Sequence, residues 1–176
     1  MAVIKKALST STLLLCGFIF VCSVNGCKTV DTPTVEMNYK SGEIVKANIE
    51  YNGQQREYRY YVPKGFDKEK KHPLILALHP FSVYEAMITT GYSIVHTEAD
   101  KDGTIMVYPK STGSEKENNL SWNPQYSRNE KNTADDIGYL SLLIDIFIKN
   151  MNCDPDRVYV FGYSSGGEMT YAMSCY

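Results

Sequence analysis

An excess of charge of either sign is missing from this chain. Lys and Arg total 18 against 20 Asp and Glu, a net charge of −2. That balance gives no electrostatic reason to expect nucleic acid or an anionic membrane surface as a partner. Histidine is scarce, with three in 176 residues, and there is a single tryptophan. There is no internal repeat and no low-complexity segment, so repeat and array architectures are excluded. Nothing calls for a cofactor or a metal. The one long apolar run, Leu13 to Val24, is too short for a spanning helix. Of five cysteines, Cys16, Cys22 and Cys27 lie at the amino end, leaving Cys153 and Cys175 for the body of the chain.

That apolar run follows Lys5 and Lys6, the order of a secretory signal. Residues 1–27 are therefore expected outside the fold. Val24-Asn25-Gly26-Cys27 resembles a bacterial lipoprotein signal with Cys27 as the lipidated residue, and simple cleavage near Gly26 is the alternative. Either places the protein outside the cell, secreted or lipid-anchored at the surface, with membrane contact only through a lipid on Cys27. Residues 28–40 read as a polar tether, and 41–176 as a partial folded domain.

Ile44–Tyr51 and Gln54–Val62 are strand-like runs around Asn52-Gly53, which suits a tight hairpin turn. Pro73 to His79 and Thr104 to Tyr108 read as strands buried on both faces. A helix with a break near Gly91 is expected over Tyr84–Asp100, and an amphipathic one over Asp135–Asn150. Asp135 and Asp136 read as cap residues rather than metal ligands. Residues 110–132 form a long polar connection, either functional or poorly ordered. Arg157–Phe161 is a strand, and a helix runs from Glu168. Alternating strands and helices imply an α/β fold, with a parallel sheet, an amino-terminal antiparallel hairpin and helices on both faces.

Between that strand and helix stands Gly162-Tyr163-Ser164-Ser165-Gly166. A serine that is to act as a nucleophile must stand clear of the strand end, on a strained turn that needs Gly two residues either side. The helix then aims its amino end at the site, and the N–H of Ser165 can donate to an oxyanion. The pentapeptide alone is a weak pattern, but the strand before it and the helix after it supply the required context. Strand rise and helix rise bring Cys175 back towards Cys153, so in an oxidising compartment the two are a disulfide candidate.

Arg157-Val-Tyr-Val-Phe-Gly-Tyr-Ser-Ser-Gly-Gly-Glu-Met169 resembles the polyhydroxybutyrate depolymerase/feruloyl esterase family of α/β-hydrolases. So do Tyr60-Tyr-Val-Pro63, Leu76-Ala-Leu-His79, Val107-Tyr-Pro109, Ser121-Trp-Asn123 and Asp135-Asp-Ile-Gly-Tyr139, over residues 45–176. The resemblance implies an esterase with Ser164 as nucleophile, acting on hydroxycinnamoyl or acetyl esters of plant cell-wall polysaccharide. A polyhydroxyalkanoate depolymerase is the next reading. Trp122 and Tyr126, in the long loop, are candidates to bind substrate, with anchoring of the loop to the core an equal alternative for Trp122. Where the family has Gly after the histidine, this chain has Pro80, which has no N–H. The second oxyanion donor then falls to Phe81. His79 reads as a loop-orienting hydrogen bonder, and His96 as exposed. In this fold the acid and the histidine base follow the serine. Neither Asp nor His occurs among the 12 residues after Ser164. The expectation is an α/β-hydrolase truncated after the nucleophile helix. Its rival is a non-catalytic carbohydrate-binding surface protein that lost its triad.

Overall fold

A computed structural model describes residues 20–23, 32–88, 93–125 and 132–175, with residues 20–23 and 93–94 described in backbone only. Among these, six strands form one sheet in the order β1-β6-β4-β5-β3-β2. The strands are β1 (Phe20–Ser23), β2 (Ile44–Tyr51), β3 (Gln54–Tyr61), β4 (His72–Leu78), β5 (Ile105–Pro109) and β6 (Cys153–Gly162). The helices are α1 (Tyr84–Ala86), α2 (Ser93–Asp102), α3 (Asp136–Met151) and α4 (Ser165–Met173). None of the described helices is long and apolar enough to cross a membrane.

The hairpin forms where Asn-Gly directs it. Asn52 and Gly53 both take positive φ, 50° and 73°, and Tyr51 pairs with Gln54 across the turn. β3 then runs antiparallel to β5, while β4 runs parallel to both β5 and β6. Every residue of β5 is buried, as a central strand requires. One face of the sheet carries α3 and α4, through Leu140, Leu143, Phe147, Met169 and Ala172. The opposite face holds Tyr84 from α1, Ile88 just after it and Ala99 from α2. The expected helix over Tyr84–Asp100 is thus two pieces. Its break near Gly91 lies outside the described residues.

Three expectations change. First, Phe20–Ser23 belongs to the sheet. It pairs antiparallel with β6, from Phe20 opposite Gly162 to Ser23 opposite Tyr159. An unpaired edge of β6 offers a row of backbone donors and acceptors, and a short apolar strand satisfies them. The other residues of 1–27, Cys27 included, lie outside the described residues. Second, residues 32–40, expected as a tether, lie on the body. Val35 and Met37 pack against the core, Val35 N–H donates to Asn150 Oδ1 at 3.2 Å, and Tyr60 O–H donates to the Asn38 carbonyl at 2.7 Å.

Third, Cys153 and Cys175 are free thiols, the first buried and the second exposed. The helix falls short. Cys153 stands opposite His72 and Gly162 opposite Leu78, and from His72 to Leu78 β4 spans about 20 Å at 3.3 Å per residue. From Ser165 to Cys175 a helix descends only about 15 Å. Burial pushes the Cys153 thiol up to about 12, so it is an inert core group.

Candidate active site

β4 and β6 end side by side at one edge of the sheet, and the chain turns sharply after each. Ser164 has φ 53° and ψ −124°, a conformation L-residues rarely adopt. Gly162 and Gly166 make it feasible. A Cβ on Gly162 would run into the backbone of Gly166, its Cα lying 3.0 Å away. One on Gly166 would overlap the Leu78 carbonyl and sit 2.8 Å from that of His79. The elbow is therefore wedged against the end of β4, with Tyr163 and Ser164 exposed at its tip. α4 starts at Ser165, three residues earlier than expected, and the Ser165 N–H lies in its first turn, where helical backbone leaves donors without intrahelical acceptors.

The loop after β4 supplies the opposing wall. Ser82, at φ 50°, donates its N–H to the Leu120 carbonyl at 2.9 Å, and Val83 N–H reaches the Pro80 carbonyl at 3.4 Å. The N–H groups of Tyr84 and Glu85 both donate to Glu115 Oε1. Pro80 has no N–H to give. Among the described residues of this loop, Phe81 keeps an uncommitted backbone donor, and its side chain is 44% exposed. The proline thus leaves the loop with one donor free, one residue later than a glycine would place it.

The histidines are all occupied. Ser111 N–H donates to His79 Nε2 at 3.0 Å, so Nε2 carries a lone pair and Nδ1–H donates to the Pro80 carbonyl at 2.6 Å. Burial lowers its pKa to about 4, which keeps the ring neutral. It orients the loop, as its sequence position suggests. His72 is buried, with its ring nitrogens on the carbonyls of Gly103 and Asp67 at 2.8 and 2.7 Å. His96 is not exposed as expected. It stacks on Tyr61 at 4.0 Å, its Nε2 lies 2.6 Å from the Tyr108 hydroxyl, and burial lowers its pKa. No described histidine is placed to take a proton from Ser164.

Trp122 does not line a substrate site. It is 4% exposed, its Nε1–H donates to the His79 carbonyl at 2.9 Å, and its ring lies 4.9 Å from the His79 ring. A tryptophan with its one donor spent inside anchors the loop to the end of β4. Tyr126 lies outside the described residues.

The paired aspartates split their roles. Asp135 caps α3, accepting from Gly138 N–H at 3.0 Å and from the Tyr51 hydroxyl at 2.6 Å. Asp136 is no cap. It is fully buried, pairs with Arg56 at 2.5 Å and accepts from Asn123 N–H at 2.7 Å. Burial pushes its carboxyl up and Arg56 opposes that shift. Arg56 is 4% exposed, lies over the Tyr139 ring at 3.9 Å and donates to the Lys110 carbonyl at 3.3 Å. This ion pair ties the hairpin, α3 and the long loop together. Sequence reasoning missed it, because Arg56 is 80 positions from its partner.

Beside Phe81 the loop borders a cleft of about 510 Å³, lined also by Gln54, Thr112, Asn119, Ser121, Asn132 and Thr133. It too was missed, since its walls come from the hairpin tip, the loop after β4 and both ends of the long connection. Among the described residues, no group of His, Cys, Asp or Glu could hold a metal ion.

No protein-family model matches the chain. It is 26% identical over 179 residues to a probable feruloyl esterase C of Aspergillus terreus, covering 99% of this chain and 57% of that protein. It is 35% identical over 79 residues to a poly(3-hydroxybutyrate) depolymerase of Ralstonia pickettii, covering 44% and 16%. A bifunctional acetylxylan esterase/xylanase of Neocallimastix patriciarum is 32% identical over 124 residues, covering 69% and 16%. The chain therefore spans little more than half of the first relative and less of the others. Among solved structures, an acetyl xylan esterase from Aspergillus awamori superposes with a TM-score of 0.59 at 21% identity, covering 75% of this chain and 46% of that one. That likeness shows the fold alone: a mixed sheet flanked by helices, with a strand–elbow–helix at its edge. In sequence the chain is similar to parts of a feruloyl esterase, a polyhydroxybutyrate depolymerase and an acetylxylan esterase, and its fold is that of the α/β-hydrolase esterases.

Proposed function

We propose that this protein is an exported carboxylic ester hydrolase with Ser164 as its nucleophile. The observation that carries the reading is the backbone of Ser164, held at φ 53° between two glycines that admit no Cβ. Strain of this kind persists only where surrounding structure enforces it, and it is concentrated at functional sites. Ser164 Oγ attacks the ester carbonyl, and the alkoxide that develops is met by the N–H groups of Ser165 and Phe81. The proton of Ser164 must go to a base other than His72, His79 and His96, whose rings are bonded to other parts of the chain.

The proposed substrates are hydroxycinnamoyl or acetyl esters on plant cell-wall polysaccharide, with polyhydroxyalkanoate as the second reading. The feruloyl esterase and acetylxylan esterase matches favour the first, and the depolymerase match, over a shorter stretch, the second. The same reading places the protein outside the cell, secreted or held by a lipid on Cys27, and processing at that point would take β1 from the edge of β6. Hydrolysis of p-nitrophenyl acetate, methyl ferulate and a hydroxybutyrate trimer by the purified chain, beside Ser164→Ala, tests it. At least a tenfold loss on substitution is expected, with methyl ferulate or the acetate favoured over the trimer. Equal rates for the two proteins would overturn the nucleophile assignment.

A further inference from the structure

Residues 32–40 form a strap that meets the fold at one end of the sheet. Lys149 Nζ donates to the Thr32 carbonyl and Asn150 Nδ2 to that of Pro33 at 3.5 Å, while Asn150 Oδ1 accepts from Val35 N–H at 3.2 Å. Val35 and Met37 pack against the core, and Tyr60 O–H holds the Asn38 carbonyl. Lys149 and Asn150 lie in the last turn of α3, and Cys153, just beyond it, stands opposite His72 at the start of β4. The strap is therefore fastened at the foot of the sheet, where β4 and β6 begin. Ser164 stands past the other end, beyond Gly162, which lies opposite Leu78. From His72 to Leu78 alone the two ends are about 20 Å apart at 3.3 Å per residue.

We infer that, when the protein is anchored by a lipid on Cys27, the foot of the sheet faces the bilayer and Ser164 faces away from it. This orientation rests on the lipid anchor proposed above, whatever the role of Ser164. Five residue steps separate Cys27 from Thr32, and fully extended they reach about 18 Å. Turning the elbow to the bilayer would lift the foot more than about 20 Å from its surface, farther than that leash extends. Processing before Cys27 removes β1 but keeps the strap and its bonds to α3.

Charge does not set the orientation. Around the foot, Lys68, Lys70, Lys71 and Arg157 are matched by Asp67, Glu69, Asp154 and Asp156. A balanced surface gains little from anionic headgroups, so the short strapped leash decides which way the molecule stands. Ser164 is then presented to esters in the surrounding medium, and the ester bonds of the bilayer's own lipids lie out of its reach.

The full chain is produced in a bacterial host that lipidates exported proteins, beside Cys27→Ser, and reconstituted in vesicles of phosphatidylcholine and phosphatidylglycerol with an acceptor dye on the headgroups. Labelled palmitate should be incorporated and the label lost in Cys27→Ser; no incorporation would overturn the anchor and the orientation together. A donor dye is attached through azidophenylalanine at Lys68 or at Tyr163, both exposed. Energy transfer to the bilayer should be at least twofold stronger from position 68, at low and at high salt alike. Equal transfer, stronger transfer from position 163, or a difference abolished by salt would each overturn the orientation. Inserting about ten Gly and Ser residues after Lys28 lengthens the leash without touching the fold, and should shrink the difference. So should Val35→Ser with Asn150→Ala, which unfastens the strap. A difference that survives both changes would mean that the strapped leash does not orient the protein. Fluorophosphonate labelling of the anchored wild type is measured in parallel. The expected orientation without labelling would overturn the nucleophile assignment and leave the orientation standing, and labelling without it would do the reverse.

Discussion

The elbow and the loop over residues 110–125 border the same edge of the sheet, yet they are built by opposite means. The elbow is held by backbone against backbone: Gly162 on Gly166, and Gly166 on the carbonyls of Leu78 and His79. The loop is held by side chains. Glu115 takes two N–H groups from the start of α1, Trp122 donates to the His79 carbonyl, and Asn123 N–H donates to buried Asp136. A steric device tolerates no added atom but asks nothing of distant residues. A polar device tolerates change in shape but fails when one partner is removed.

The polar device should break hardest at Asp136. Removing its carboxylate leaves Arg56 charged and buried with only the Lys110 carbonyl and the Tyr139 face. Breaking one side of a buried pair typically costs about 3–5 kcal/mol. Asp136→Ala should lower the unfolding free energy measured in urea by that amount, and the double change Arg56→Met with Asp136→Leu should recover most of it. If Asp136→Ala costs under about 1 kcal/mol, the pair does not clamp the hairpin to α3.

The steric device comes next. Gly166→Ala puts a methyl group into the Leu78 carbonyl, and the end of β4 is too well paired to retreat. Overpacking of this kind costs about 3 kcal/mol. Unfolding of Gly166→Ala in urea measures it, and fluorophosphonate labelling of Ser164 should fall at the same time. Full stability in this variant would mean that the elbow is not wedged against β4.

The contrast also explains what the sequence disclosed. The elbow was legible because a local steric rule writes itself into five consecutive residues. The hairpin was legible for the same reason, in Asn52-Gly53. The Arg56–Asp136 pair and the cleft were not, because each joins residues from separate elements, and the sequence left the choice between anchor and binder open for Trp122. Trp122 and His79 are 43 positions apart, and only the folded chain shows that the indole donor is spent internally. Phe20–Ser23 failed differently. Its composition matches an export signal, and composition says nothing about a free strand edge waiting on β6. The disulfide failed by geometry: the helix after the elbow descends less far than the sheet extends back to Cys153.

His79 sits where the two devices meet, its carbonyl against Gly166 and Trp122 and its ring against Ser111. Its ring is neutral when folded, with a pKa lowered to about 4 by burial, against 6.5 in an unfolded chain. Between those values the unfolded chain binds more protons, so stability rises with pH and is lost as pH falls. The loss from pH 6.5 to pH 5 is roughly 1.5 kcal/mol. His79→Gln keeps a donor and an acceptor but does not titrate. Its unfolding free energy should therefore show less dependence on pH across that window than the wild type. Parallel profiles for the two proteins would mean that His79 is solvated.

The smallest effect tests the anchor itself. Trp122→Phe keeps an aromatic ring beside His79 but removes the Nε1–H that donates to its carbonyl. A single neutral hydrogen bond contributes about 1 kcal/mol. That carbonyl is also a near neighbour of Gly166, so the loss should reach the elbow. The expected outcome is a drop of about 1 kcal/mol in urea, together with faster amide exchange at Leu120 and Ser121. A Trp122 that lined the substrate site would behave in the opposite way, leaving stability and exchange unchanged while raising the KM for methyl ferulate. Because the indole is buried, the order of effects should be stability first and KM second, and the reverse order would return Trp122 to the binding surface.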